Sequence, residues 1–128
     1  MTVNKQSKIL VVDDSGAMRS IVRKLLTQLG YTDVDEAPDG TAALAKLNEK
    51  RYGLVISDWN MAPMNGQTLL EQTRANKKLE NVPFIMMTAQ SDPDKIIEAK
   101  YAGVSSFISK PFSAEALQAK ISKINAIL

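Results

Sequence analysis

The chain has 128 residues, enough for one domain with a sizeable core and too few for two. Its 45% hydrophobic and 23% charged residues are ordinary for a folded soluble domain. With neither Cys nor His, disulfide scaffolds, thiolate chemistry, the usual zinc sites and His-based triads are excluded. Net charge is +2, with eight bases against eight acids in residues 1–64 and eight against six in 65–128. That excess, without any Arg/Lys run interleaved with aromatics, gives no reason to expect nucleic acid as a partner. The apolar run Ile9–Val12 ends in two acids and falls far short of a signal peptide or of the roughly 20 residues a membrane helix needs. Neither export nor membrane insertion is expected, and the location expected is the cytoplasm.

Two kinds of segment alternate along the chain. Lys8–Val12, Thr32–Glu36, Gly53–Ser57, Val82–Thr88 and Val104–Ser109 are short and apolar. ILVV, LVIS and PFIMMT in particular read as strands covered on both faces. DVDEA is more polar, which places it at a sheet edge. Between the strands run helical periodicities. The first carries Met18, Ile21, Val22, Leu25, Leu26 and Leu29 and is terminated by Gly30. The second follows Asp39-Gly40, with Ala42, Ala43, Leu44 and Leu47 on its stripe. The third runs from about Gly66 to Ala75 with Leu69, Leu70 and Thr73 inward, and the fourth turns Ile96, Ile97 and Tyr101 inward and stops near Gly103. The fifth, Ser113–Leu128, is capped by Ser113 and buries Leu117, Ile121, Ile124 and Leu128. Five strands alternating with five helices through short connections predict a doubly wound α/β domain with a parallel sheet over 1–128. Only residues 1–6 read as loose.

In such sheets functional groups collect at the carboxyl ends of the strands. The first strand ends in Asp13-Asp14, the third in Asp58, the fourth in Thr88-Ala89 and the fifth in Lys110-Pro111. Singly, an aspartate here reads as a helix N-cap or a loop residue, and Lys110 as a solvated edge lysine. Together, three carboxylates repel one another unless a cation or a raised pKa relieves them. An all-oxygen donor set suits a hard divalent ion, Mg²⁺ or Mn²⁺. The turn after the first strand offers only Gly16, and no phosphate loop is present, so the site is not built for a nucleotide. A hard cation, a carboxylate, a hydroxyl and a lysine instead suit a phosphoryl group carried covalently by that carboxylate.

ILVVDDSGAMR, ISDWNMAPMNG, IMMTA and VSSFISKPF, in this order across the whole chain, resemble the response-regulator receiver family, and within it the single-domain chemotaxis regulators. The resemblance implies a flavodoxin-like (βα)5 fold with strand order 2-1-3-4-5. It implies that Asp58 accepts a phosphoryl group from a chemotaxis-type histidine kinase. Asp14, Asp13, Asp58 and the backbone carbonyl of Asn60 would hold Mg²⁺. Thr88 and Lys110 would bind the phosphoryl group beside the small Ala89, and the Lys110-Pro111 bond would be cis. Movement of Thr88 would let Phe107 turn inward and remodel an output surface that includes Ile96, Lys100, Phe107 and Lys120; read without the resemblance, Phe107 is a plain core aromatic. A flagellar motor-switch protein or a phosphatase would be the partner of a monomeric regulator whose only enzymatic activity is on its own phosphoryl group.

Three features depart from the chemotaxis pattern. Phe107 stands where Tyr is usual, keeping the volume without the hydroxyl. Ala62 follows Met61 where proline is usual, with Pro63 one place later. Ser91-Asp92-Pro93-Asp94 makes the head of the fourth helix acidic where lysines are common, which disfavours an acidic peptide. A paralogue acting as a phosphate sink or on a non-flagellar partner is therefore an alternative. A small Mg²⁺-dependent phosphohydrolase is another, and a degenerate scaffold a third, disfavoured by the complete set of site residues. Trp59, beside Asp58, is expected to be partly exposed.

Overall fold

A computed structural model describes residues 2–88 and 93–127. The elements alternate as β1 (Ile9–Val12), α1 (Gly16–Gln28), β2 (Val34–Ala37), α2 (Gly40–Glu49), β3 (Leu54–Asp58), α3 (Gly66–Ala75), β4 (Phe84–Thr88), α4 (Pro93–Tyr101), β5 (Ser106–Ser109) and α5 (Ala114–Ile127). All four strand pairings are parallel, in the order β2-β1-β3-β4-β5, so the polar strand does lie at an edge. Parallel strands need crossover helices, and these cover both faces of the sheet.

The pleat divides the core in two. Ile9, Val11, Ile56, Ile85, Met87 and Ile108 pack with Val22 and Leu26 of α1 and Leu117, Ile121 and Ile124 of α5. Leu10, Val12, Val55, Phe84 and Met86 pack with Ala43 and Leu47 of α2, Leu69 and Leu70 of α3 and Ala99 of α4. Burying each large aliphatic side chain stabilises the fold by about 1.5–3 kcal/mol, so these two layers supply most of the driving force.

The helix starts follow local side-chain chemistry. Ser15, Asp39, Asn65 and Ser113 accept from the backbone N–H groups of Met18, Ala42, Thr68 and Ala116 respectively. Because Ser15 caps α1, Asp13 and Asp14 are released from that duty. Gly30, at φ 95°, supplies the left-handed residue that stops the α1 periodicity. Ahead of β1, in the segment read as loose, Val3 is buried and its N–H and C=O both bond to the side-chain amide of Asn125.

Helix α4 faces differently from the expectation. Its buried arc centres on Ala99, while Ile97 is 50% and Tyr101 90% exposed. Both lie two residues from Ala99, about 200° round the helix, so burying Ala99 turns them to solvent. Leu128, assigned to the buried face of α5, lies outside the described residues, as do Ala89, Ser91 and Asp92. No helix among the described residues is long and apolar enough to cross a membrane.

Candidate functional site

Strand alternation explains which side chains meet. Asp13, Asp58 and Lys110 each lie two positions beyond a residue of the α1/α5 layer, Val11, Ile56 and Ile108 respectively, so all three fall on the α1/α5 side at the carboxyl edge. There Lys110 Nζ lies 2.9 Å from Asp58 Oδ1 and 3.3 Å from Asp13 Oδ2. The Lys110–Pro111 and Ala62–Pro63 peptide bonds are both cis.

Asp13 is almost wholly buried, and its Oδ1 accepts from the Ser15 N–H at 3.0 Å. Burial pushes its carboxyl above the usual aspartate range against the opposing effect of that hydrogen bond, and the neighbouring charge of Asp58 adds to the rise. For Lys110 burial works against the ammonium, but the hydrogen bond and charge of Asp58, with those of Asp13, outweigh it and hold its pKa above that of an ordinary lysine. Asp14 is exposed. Carboxylate oxygens of Asp13, Asp14 and Asp58 all lie within 4.8 Å of one another, a spacing that a single divalent cation can bridge. Among the described residues, three carboxylates stand against the one ammonium of Lys110, a charge balance and an all-oxygen donor set that fit a divalent cation.

Asn60 is exposed on the loop beyond β3, one residue past Trp59. Thr88 is buried at the end of β4, and its Oγ1 has no hydrogen-bond partner among the described residues. An unsatisfied buried hydroxyl costs free energy, so at the carboxyl end of β4 it is a free donor that a bound group could satisfy. Thr88 pairs with Ser109, and Phe107 lies two residues back on the same face of β5, opposite Met86. Phe107 is half-buried between the ammonium groups of Lys100 on α4, 6.0 Å from its ring centre, and Lys120 on α5, 5.6 Å away. Ile96 is half-buried on α4, and Lys100 is exposed.

Trp59 is buried, at 7% exposure, rather than partly exposed. It packs into the core layer of α2, α3 and α4, and Lys95 of α4 lies over its ring at 5.4 Å.

Sequence reasoning missed two residues that shape this edge. Gly66 was read only as a helix start, yet a Cβ there would lie 2.2 Å from the Asp58 carbonyl oxygen, so only glycine lets α3 approach the end of β3 this closely. Its N–H also bonds to the Trp59 carbonyl at 2.8 Å. Glycine directly after the Asn65 cap was the available signal. Arg19 lies off the apolar stripe of α1 and donates to the Asp13 carbonyl at 2.6 Å; nothing in the periodicity marked it.

A doubly wound parallel sheet with this acidic pocket, hydroxyl and lysine at its carboxyl edge defines a receiver-class domain. The sequence profile described as the response regulator receiver domain matches residues 9–122, and the chain belongs to that family. It is 46% identical over 117 residues to the chemotaxis protein CheY of Pseudomonas aeruginosa, covering 91% of this chain and 94% of that one. It is 45% identical over 122 residues to CheY-3 of Vibrio cholerae, covering 95% and 94% respectively. Among solved structures it is similar to the chemotaxis response regulator CheY4 of Vibrio cholerae, with TM-score 0.85, 35% identity and coverage of 92% and 98%. The receiver domain of a Pseudomonas aeruginosa sensor histidine kinase, at 25% identity and TM-score 0.84 with coverage of 94% and 98%, has a magnesium ion coordinated in its active-site cleft.

Proposed function

We propose that this chain is a chemotaxis-type phosphorylation switch in which Asp58 is the phosphoacceptor. The observation that carries the reading is Lys110 bridging Asp58 and Asp13 while Asp14 completes an under-neutralised carboxylate cluster. The donor is a phosphohistidine of a kinase. An Asp58 carboxylate oxygen attacks phosphorus, an acyl–phosphate O–P bond forms, the P–N bond breaks, and the imidazole nitrogen leaves with the electron pair and takes a proton from solvent.

Asp13, Asp14, Asp58 and the Asn60 carbonyl would hold Mg²⁺, which when bound offsets charge on the phosphoryl oxygens. Lys110 exchanges its Asp58 contact for a phosphoryl oxygen, and Thr88 Oγ1 donates to another, acquiring the partner it lacks. An apolar depression of about 310 Å³, lined by Met18, Ile21, Leu25, Pro111 and Phe112, adjoins Lys110 and gives the donor domain a surface beside the acceptor. Hydrolysis of the acyl phosphate resets the switch.

The output passes from Thr88 to Phe107 and the face made by Ile96, Lys100, Phe107 and Lys120, since Thr88 and Phe107 occupy one face of neighbouring strands. The partner is a flagellar motor-switch protein that reads this face without a tyrosine hydroxyl. The departures at Phe107, at Ala62-Pro63 and in the acidic start of α4 favour, as the second reading, another partner or a phosphate-sink role. Binding of the beryllofluoride- and Mg²⁺-treated protein to a motor-switch N-terminal peptide tests the choice. Binding that strengthens on activation and is lost in Asp58→Ala supports motor control. Activation without binding keeps the phosphorylation chemistry and gives the output to another partner, and failure of beryllofluoride to bind overturns the switch reading itself.

A further inference from the structure

Asp14 is the exposed member of the acidic cluster, and no hydrogen bond or ion pair from the described residues holds its carboxylate. With no side-chain partner to hold it, what the fold controls is the Cα–Cβ bond from which it reaches the site, and that bond is set by the peptide plane that joins it to Asp13. The carbonyl of that plane accepts from Arg19 Nη1 at 2.6 Å. The same guanidinium donates from Nε to Glu36 Oε1 at 3.0 Å, and Glu36 lies on β2, the strand next to β1. At the other end of Asp13, the backbone N–H bonds to the Ala37 carbonyl at 3.1 Å, again on β2. Both backbone groups of Asp13 are thus tied to one neighbouring strand, the N–H directly and the C=O through Arg19. The guanidinium also lies over Gly16, where an added Cβ would be 3.4 Å from Nη2, so it packs along the loop that carries both aspartates. Glu36 is held from its other side by Arg23, whose Nε is 2.9 Å from Oε2.

We infer that Arg19, anchored by Glu36, is a positioning residue for divalent-metal binding: it fixes the Asp13–Asp14 peptide plane and thereby aims the Asp14 carboxylate into the site. The inference rests on the metal-site reading above. Arg23 shares the Glu36 ion pair but has no contact with the Asp13 carbonyl among those the structure gives, so it separates aiming from general ion-pair stability.

The test is calorimetric titration of the full chain with Mg²⁺, alongside urea unfolding in EDTA. The wild type binds Mg²⁺ and Asp14→Asn weakens binding sharply. Arg19→Met weakens it by about tenfold, the scale on which outer supports of a metal site act. Glu36→Gln, which leaves the Asp13 bond but loosens its anchor, gives a smaller loss, and Arg19→Lys restores part of the affinity. Arg23→Met removes the other, more exposed ion pair to Glu36 and leaves Mg²⁺ affinity unchanged. Equal Mg²⁺ affinity in the wild type and Arg19→Met overturns the inference, as does an equal loss in Arg23→Met. If Arg19→Met does not fold, Glu36→Gln and Arg19→Lys against Arg23→Met decide it. A wild type that binds no Mg²⁺ overturns the metal-site reading and this inference together, a result distinct from the other two.

Discussion

Replacing Lys110 with methionine removes the ammonium that bridges Asp58 and Asp13 while keeping most of the apolar stem. The Lys110 side chain is 21% exposed, and its partners Asp58 and Asp13 are 11% and 2% exposed. Breaking a fully buried pair costs about 3–5 kcal/mol, and losing an exposed one about 0–1. A site between these limits, where water reaches the lysine but not Asp13, points to a loss of about 2 kcal/mol in the metal-free protein. For a chain of this size, with an urea m-value of roughly 2 kcal/mol per molar, the midpoint falls by about 1 M. Saturating Mg²⁺ supplies positive charge to the same carboxylates, so the deficit measured at neutral pH shrinks when EDTA is replaced by Mg²⁺. Asp58→Asn has the opposite sign in EDTA, because it removes one of the mutually repelling carboxylates. Urea unfolding by circular dichroism of the three proteins, with and without metal, reads all of this. A Lys110→Met deficit that is absent in EDTA, or identical in EDTA and Mg²⁺, would refute the electrostatic account of the site.

Other consequences follow from single contacts. Thr88→Val removes a hydroxyl that has no partner among the described residues, so the unphosphorylated protein should keep its stability or gain up to about 1 kcal/mol, while its response to beryllofluoride is weakened; a clear loss of stability in urea would show that the hydroxyl is bonded after all. Gly66→Ala sets a Cβ against the Asp58 carbonyl and should cost about 1–3 kcal/mol and slow phosphorylation of Asp58; a variant with wild-type midpoint and rate would contradict the close approach. Tyr52→Phe removes the 2.6 Å hydrogen bond that, with Lys50, holds the Asp35 carboxyl below its usual range. Because that pKa is depressed in the folded state, the bond's contribution of about 0.5–1.5 kcal/mol is present above the unfolded value near 3.9 and fades as pH falls below it. The wild type and Tyr52→Phe should therefore differ in unfolding free energy at pH 7 and converge in acid, whereas a constant gap would argue against the linkage.

The alternation of strand and helix was legible because each buried strand here is a continuous apolar run, and the edge position of β2 was legible because DVDEA is not. The carboxyl-edge residues could be found because each closes an apolar run, and a parallel sheet brings those ends together. What escaped was orientation. Ile97 and Tyr101 have the composition of a buried stripe, but the small Ala99 packs inward on α4, and an apolar count does not reveal which arc the neighbouring strands can accommodate. Trp59 follows a site aspartate and so read as partly exposed, whereas its ring fills the layer beneath α4. Arg19 acts through a backbone carbonyl, a contact that leaves no residue-type signature at its other end.

The central claim is that Asp58 carries the phosphoryl group. Incubation of the protein with acetyl phosphate and Mg²⁺, followed by intact-mass spectrometry, tests it most directly. The account predicts the mass gain of one phosphoryl group in the wild type, dependent on Mg²⁺ and absent from Asp58→Asn. No gain in the wild type, or an undiminished gain in Asp58→Asn, would contradict it.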